Sequence, residues 1–563
     1  MTPERLARAL ALMPEAAMAK VTGWHVQPRW TGQGAVFWYR TRTPAGLRFR
    51  LVDPETGAHG DAFDHDALAL DLRRATGEPT ATAELPFAEI TVSPGGIAFD
   101  HGGVRWLLAP DGALRHAPPA PDPAALPAPC GTRSVVLREH DLWLTGDGAP
   151  PRRLTHDGVP RYGYGEEPGG SMLALTEGHA PRPAAQWSPC GRWLLIFRCD
   201  ERAVQDLPIL EFAPRPGQRP RLHRLPVPLA GDEVTATGAY CVINTRTGAV
   251  VPVDIPPFPA MESPFWFAAQ GMEAARHWSR DGALHLTRRS AGGRRQTLYR
   301  VDPATGAATP LIIEESDIPV LLNPFEFQRP NWHVIDGTGE ILWWSEGTGH
   351  GQLTLHDSDG VQLNLVGPGA HVVRDVLNVD EEARTVLFTA SALPGSSNPY
   401  HRKLLVAPLG GGPARVLTPE EGDHDLSLSP DKRWLVDAFG DPDLPCRSVL
   451  RDLSGAIAMT LETADDSGLR AAGFRSGTSV QTLAADGVTQ LHGMLFLPPD
   501  FDPGASYPVI DAIYGGPQLT VTPHGHLLDT GAPLTGGLEI ALENHFLPVA
   551  TVVFQTFARP DVA

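Results

Sequence analysis

The sequence predicts a mainly β protein, an eight-bladed β-propeller over residues 25–460 followed by the opening strands of an α/β domain. Three observations carry that prediction. Short apolar or aromatic runs, such as 36–39, 193–197 and 341–344, recur between turns rich in Gly, Pro, Asp and Asn. One glycine-containing turn repeats at blade-like spacing. Beyond Gly455 the runs become longer and almost continuously apolar.

The first element in order is an extension over residues 1–24. It opens as an amphipathic helix, with Glu4 directly before the stretch that holds Arg5 and Arg8 and only a short apolar stretch before Pro14. That is not the pattern of a signal peptide, so the expected location is the cytoplasm.

The propeller follows. In its recurring turn an apolar strand ends in Asp or another small polar residue, passes a tight glycine turn and starts again. The turn glycines are Gly57, Gly112, Gly148, Gly248, Gly306, Gly360, Gly411 and Gly455, at intervals of 55, 36, 100, 58, 54, 51 and 44. Apart from the 100, these match the ~40–50-residue period of four-stranded propeller blades. A second turn, of Ser-Pro-Asp-Gly type, recurs at 92–96, 187–191, 278–282, 335–339 and 428–432. Pro and Asp suit its early positions and Gly its end. The 100-residue interval holds one blade plus an insertion, placed around residues 156–186. Trp38, Trp187, Trp193, Trp343 and Trp344 alternate along strands and are assigned to blade cores.

The last segment, 461–563, is an incomplete α/β domain. It has an antiparallel pair around Asp486 and Gly487, then a strand over 507–514 ending in Gly515-Gly516-Pro517. A helix at about 537–545 and a strand at 549–554 complete it. Near-continuous apolar strands separated by a helix point to a buried, mostly parallel sheet.

Composition narrows the function. With 42% hydrophobic residues the bulk of the 563-residue chain is not disordered. A net charge of −19 excludes nucleic acid as a partner, because binding phosphates needs a basic surface. The five cysteines lack ligand spacing, so no zinc site or disulfide framework is expected, and no cofactor motif occurs. No apolar run reaches the ~18 residues that span a membrane.

Four segments carry a family likeness. They are Gly422-Asp-His-Asp-Leu-Ser-Leu-Ser-Pro-Asp431 with Asp437 and Pro445, Ile341-Leu-Trp-Trp-Ser-Glu-Gly-Thr-Gly-His-Gly-Gln-Leu353, Ala484-Ala-Asp-Gly-Val-Thr-Gln-Leu-His-Gly493 and Tyr507-Pro-Val-Ile-Asp-Ala-Ile-Tyr-Gly-Gly-Pro517. On these residues the chain resembles the prolyl oligopeptidase family of serine peptidases, and within it the dipeptidyl peptidase IV-like branch. The resemblance implies a propeller followed by an α/β-hydrolase domain, acting on peptide substrates by acyl transfer and releasing dipeptides from the N-terminus. It also implies a homodimer where the hydrolase domain is complete.

The same resemblance puts Tyr514 at the family's oxyanion-stabilising position, where a hydroxyl donates to developing negative charge. It puts Glu166 and Glu167 where an acidic pair would hold the substrate's α-ammonium, although here Gly165 separates them from Tyr164 and Pro168 follows. Plainer readings stand beside these: an aromatic at a strand end, and a solvated acidic turn. His424 and Asp437 are read as structural members of the last blade, and Arg202 with Asp200 and Glu201 as a surface ion pair.

The family's serine sits on a G-x-S-x-G elbow, followed by Asp and His. No such elbow occurs in these residues. The expectation is that the chain ends before the catalytic triad and does not hydrolyse peptides alone. The alternative reading is a non-catalytic propeller that binds peptides or proteins.

Overall fold

A computed structural model describes residues 3–10, 14–32, 34–120, 122–166, 182–214, 217–260, 276–324, 329–498, 501–511, 524–526 and 550–555. Eight antiparallel sheets succeed one another at residues 29–61, 91–116, 126–153, 185–252, 276–315, 332–366, 372–416 and 423–463. They are blades 1 to 8 of an eight-bladed β-propeller. Each has four strands in chain order, and blade 4 adds a short fifth strand, Phe258–Pro259.

The chain divides into two compact units. Blades 3 to 6 form one; blades 1, 2, 7 and 8, with the N-terminal segment and the C-terminal residues, form the other. Within the second unit the last blade returns to the first. Val26, Phe37, Tyr39 and Val52 share a core with Val436, Leu450 and Leu461. The Tyr39 hydroxyl donates to Glu462 at 2.9 Å, and Trp30 Nε1 donates to Ser427 Oγ at 2.9 Å. A single four-stranded sheet leaves both faces wet, so within each unit neighbouring blades bury their apolar faces against one another. Blades 4 and 5 do so through Phe197, Tyr240, Phe258, Trp278 and Leu284, each such side chain contributing roughly 1.5–3 kcal/mol.

Both repeated turns are where the sequence places them. All eight turn glycines have positive φ, between 68° and 95°. At Gly306 and Gly360 room is needed as well as conformation. A Cβ would lie 2.0 Å from the Pro252 carbonyl oxygen in the first case, and 2.0 Å from that of Leu311 in the second. Each of those carbonyls belongs to the last strand of the preceding blade, so these glycines let neighbouring blades close. The Ser-Pro-type turns join the first and second strands of blades 2, 4, 5, 6 and 8. Trp38, Trp187, Trp343 and Trp344 are buried. Trp193 is not fully so: it lies half-buried with the Arg192 guanidinium 4.9 Å from its ring centroid.

Three features differ from expectation or add to it. The long interval between Gly148 and Gly248 is filled in two places. One is the connection between blades 3 and 4; the other is a hairpin, Asp206–Glu211 with Arg221–Pro226, set between the second and third strands of blade 4. A helix, His65–Thr76, lies between blades 1 and 2. Asp64 caps it by accepting from the backbone N–H groups of Asp66 and Ala67, Leu68 and Leu72 are buried, and Gly77 ends it at φ 74°. Asp and Gly at those two places are ordinary start and stop signals, and they are legible in the sequence.

The C-terminal sheet runs in the order Thr478–Leu483, Gln490–Phe496, Ala550–Gln555, Val509–Asp511. It is mixed rather than mostly parallel: among the described strands, the one parallel pair is Val509–Asp511 with Ala550–Gln555. Strands joined by the tight turn at Asp486 and Gly487 must run antiparallel, and only a long crossover can return a strand parallel. The helix expected at 537–545 lies outside the described residues.

Candidate functional site

The site grows from the hairpin of blade 3, Arg133–Arg138 paired with Asp141–Gly146. Its turn has two residues, Glu139 at φ 50° and His140 at φ 70°. Such turns favour Asn and Gly because both central residues are left-handed. The turn is held from the next residue. Asp141 is fully buried and accepts hydrogen bonds from Thr155 Oγ1 at 2.6 Å and the Gly158 N–H at 3.1 Å, and it pairs with Arg153. Burial alone would raise this carboxyl; the hydrogen bonds from Thr155 and Arg153 outweigh it and keep Asp141 ionised, below its ordinary range.

The following segment, 158–166, is tied to both neighbouring blades. Tyr164 donates its N–H to the His140 carbonyl at 3.0 Å, and Gly165 donates to Phe197 O, also at 3.0 Å. The Tyr164 ring is buried; its hydroxyl donates to Asp157 Oδ1 at 2.7 Å and accepts from Arg198 at 2.9 Å. Burial, reinforced by Asp157, pushes the Tyr164 hydroxyl far above its usual value. The Arg198 guanidinium stacks 3.6 Å from the Tyr162 centroid and 4.0 Å from that of Tyr164, a cation–π pairing that rigidifies the segment.

This brings Glu166 to rest with Oε1 2.7 Å from His140 Nδ1, its side chain about a quarter exposed at 26%. Other carboxylates lie close by. The nearby Cys199 thiol is pushed up by burial first, and then by the charges of Glu201, Asp200 and Glu166. A partly exposed carboxylate with one oxygen held by a histidine is suited to binding a cation.

Of the residues singled out in the sequence, Glu166 is therefore placed, while Glu167 and Tyr514 lie outside the described residues. Arg202 pairs with Asp200 at 2.6 Å and is mostly exposed, the surface ion pair expected of it. His424 and Asp437 meet deep in blade 8; the second ring nitrogen faces the Glu420 carbonyl at 3.1 Å rather than a hydroxyl nucleophile. Sequence reasoning missed His140, Asp141 and Gly163. Their one signal was an aspartate directly after a tight turn.

Residues 116–446, more than half of the chain, match the family model for the dipeptidyl peptidase IV (DPP IV) N-terminal region. The chain belongs to that family. Two fungal proteins named "Probable dipeptidyl-aminopeptidase B" are among its relatives. The one from Tuber melanosporum is 25% identical over 437 residues, covering 72% of this chain and 45% of its own length. The one from Aspergillus oryzae is 23% identical over 460 residues, covering 74% and 48%. The chain thus spans about half the length of these relatives. Among solved structures, Porphyromonas gingivalis dipeptidyl peptidase 4 superposes with a TM-score of 0.62 at 16% identity, over 96% of this chain and 73% of its own. Among the described residues no helix is long and apolar enough to cross a membrane.

Proposed function

We propose that this chain is the substrate-selecting part of a serine peptidase that releases dipeptides from the free N-terminus of peptides. In this reading the Glu166 carboxylate receives the substrate's α-ammonium, Tyr514 donates to the oxyanion, and the nucleophile comes from the remainder of an α/β-hydrolase domain. The observation that carries the reading is the state of Glu166: its partner among the described residues is a histidine, not an arginine or lysine, and one carboxylate oxygen is left for a ligand. An ammonium held there fixes how far the chain can reach into a catalytic centre, which restricts cleavage to a set distance from the N-terminus.

The test uses the full-length protein and a pair of chromogenic dipeptide anilides, one with a free amine and one N-acetylated. Losing a charged hydrogen bond of about 1.5–3 kcal/mol should lower kcat/KM for the free-amine substrate roughly 10- to 100-fold in Glu166→Gln. The acetylated substrate should be unaffected. Equal activity of the variant and the parent on the free-amine substrate would overturn the assignment. A full-length protein that binds such peptides without cleaving them would be the non-catalytic peptide-binding propeller instead.

A further inference from the structure

We propose that His140 is a positioning residue for Glu166: it anchors Oε1 of a carboxylate seated against Gly163, so that the group is preset for a substrate ammonium. The inference rests on the ammonium-binding reading of Glu166 and adds the device that orients it.

Three independent features converge on the carboxylate. The first is the contact itself, His140 Nδ1 to Glu166 Oε1 at 2.7 Å. A carboxylate only accepts, so Nδ1 carries the proton and donates. The second is the conformation of the turn. Glu139 and His140 both adopt left-handed backbone, a conformation that costs energy for any residue with a Cβ. The buried Asp141 and the Tyr164 N–H bond to the His140 carbonyl maintain it. Strain held by its surroundings gathers at functional positions.

The third feature is Gly163. A Cβ built there would lie 2.3 Å from Glu166 Oε2, 2.4 Å from Cδ and 2.8 Å from Oε1. The carboxylate lies flat against that glycine, and Gly163 is not among the residues with positive φ. Its small size, not its conformational freedom, is what the position requires.

The consequence is energetic. A free glutamate side chain surrenders rotamer entropy when it is immobilised on a ligand. At Glu166 that cost is met on folding, by a histidine bond and a glycine cradle, before any substrate arrives. Because the preset oxygen is held equally in ground and transition states, the gain belongs in KM rather than kcat.

The experiment measures kcat and KM for the free-amine and N-acetylated anilides in the full-length protein and four variants. His140→Ala should raise KM for the free-amine substrate roughly 10-fold, with kcat and the acetylated substrate unchanged. His140→Asn should restore most of the loss, because its side-chain amide N–H superposes on Nδ1–H and asparagine tolerates positive φ. Gly163→Ala should reproduce the KM increase by steric displacement while His140 stays intact. Glu166→Gln separates the two levels of the argument. If it raises KM but His140→Ala and Gly163→Ala do not, the positioning role is wrong and the ammonium site stands. If Glu166→Gln itself changes nothing, the site reading falls and the positioning role falls with it. Equal loss in His140→Ala and His140→Asn would also overturn the proposal, since a side-chain N–H donor restored at that place would then make no difference.

Discussion

The imidazole Nδ1 of His424 lies 2.9 Å from Oδ2 and 3.0 Å from Oδ1 of Asp437, and neither side chain reaches solvent. The same carboxylate accepts from Arg451 Nε at 2.7 Å, and Arg451 NH1 in turn donates to the Gly455 carbonyl at 2.8 Å. One aspartate thus links the first three strands of blade 8 to its glycine turn. Removing it takes one of two carboxylates from the buried Arg451 guanidinium, the other being Glu420 Oε2 at 3.0 Å from NH2, and breaking such a buried pair costs about 3–5 kcal/mol. Asp437→Ala should lower the unfolding free energy by up to about that amount, read as a lower urea midpoint. An unchanged midpoint would show that the network is replaceable by water.

A second buried pair makes stability depend on acid. Arg402 donates to Asp423 from its backbone N–H at 2.8 Å and from its guanidinium at 2.7 and 3.0 Å. Burial would raise the Asp423 carboxyl, but the Arg402 charge, with His524 beside it, holds it far below the usual carboxylate range. The folded pKa lies under the unfolded one. The pair's contribution is therefore complete above about pH 4, the unfolded value, and is lost as pH falls further. Asp423→Asn should flatten the fall in stability below pH 4, read from denaturation at stepped pH. A slope equal to the parent's would refute the assignment.

Two buried histidines act in a higher window. Burial pushes both His285 and His401 down to about 4 from an ordinary 6.5. Between those values the unfolded chain binds protons that the folded one refuses. Each residue's penalty is thus absent above about pH 6.5 and grows as pH falls towards 4, reaching at most a few kcal/mol. His285→Gln and His401→Gln should each retain more of their pH 7.5 stability at pH 5 than the parent does. The comparison is of urea midpoints at the two pH values, and an identical pH response would contradict the prediction.

Packing supplies a test free of charge effects. A Cβ on Gly238 would sit 1.9 Å from Cζ of Phe197, a fully buried ring in the blade 4 core. Gly238 lies on the strand Thr237–Asn244, paired with the strand that carries Phe197, so the ring covers the glycine. Gly238→Ala should destabilise by about 1–3 kcal/mol through overpacking. Calorimetry should show a lower Tm, and a Tm equal to or above the parent's would mean that the ring swings aside freely.

Much of this protein was legible in its residues taken in order. The eight glycine turns and the Ser-Pro-type turns announce blades because turn chemistry is local: a left-handed position favours glycine wherever the turn falls. The helix His65–Thr76 was not among the expected elements, although Asp64 and Gly77 mark its start and stop. The mixed C-terminal sheet was less legible, since apolar runs look alike whichever way their neighbours point.

The sequence by itself determined the repeat, the blade count and the family likeness, all of which rest on short-range patterns or on residues read in order. Tertiary structure alone decided that His140 meets Glu166, 26 positions away, that Gly163 lies beneath that carboxylate, and that His424, Asp437 and Arg451 form one network. Those meetings depend on strand register and on how one sheet packs on the next, and no residue's local propensity encodes either.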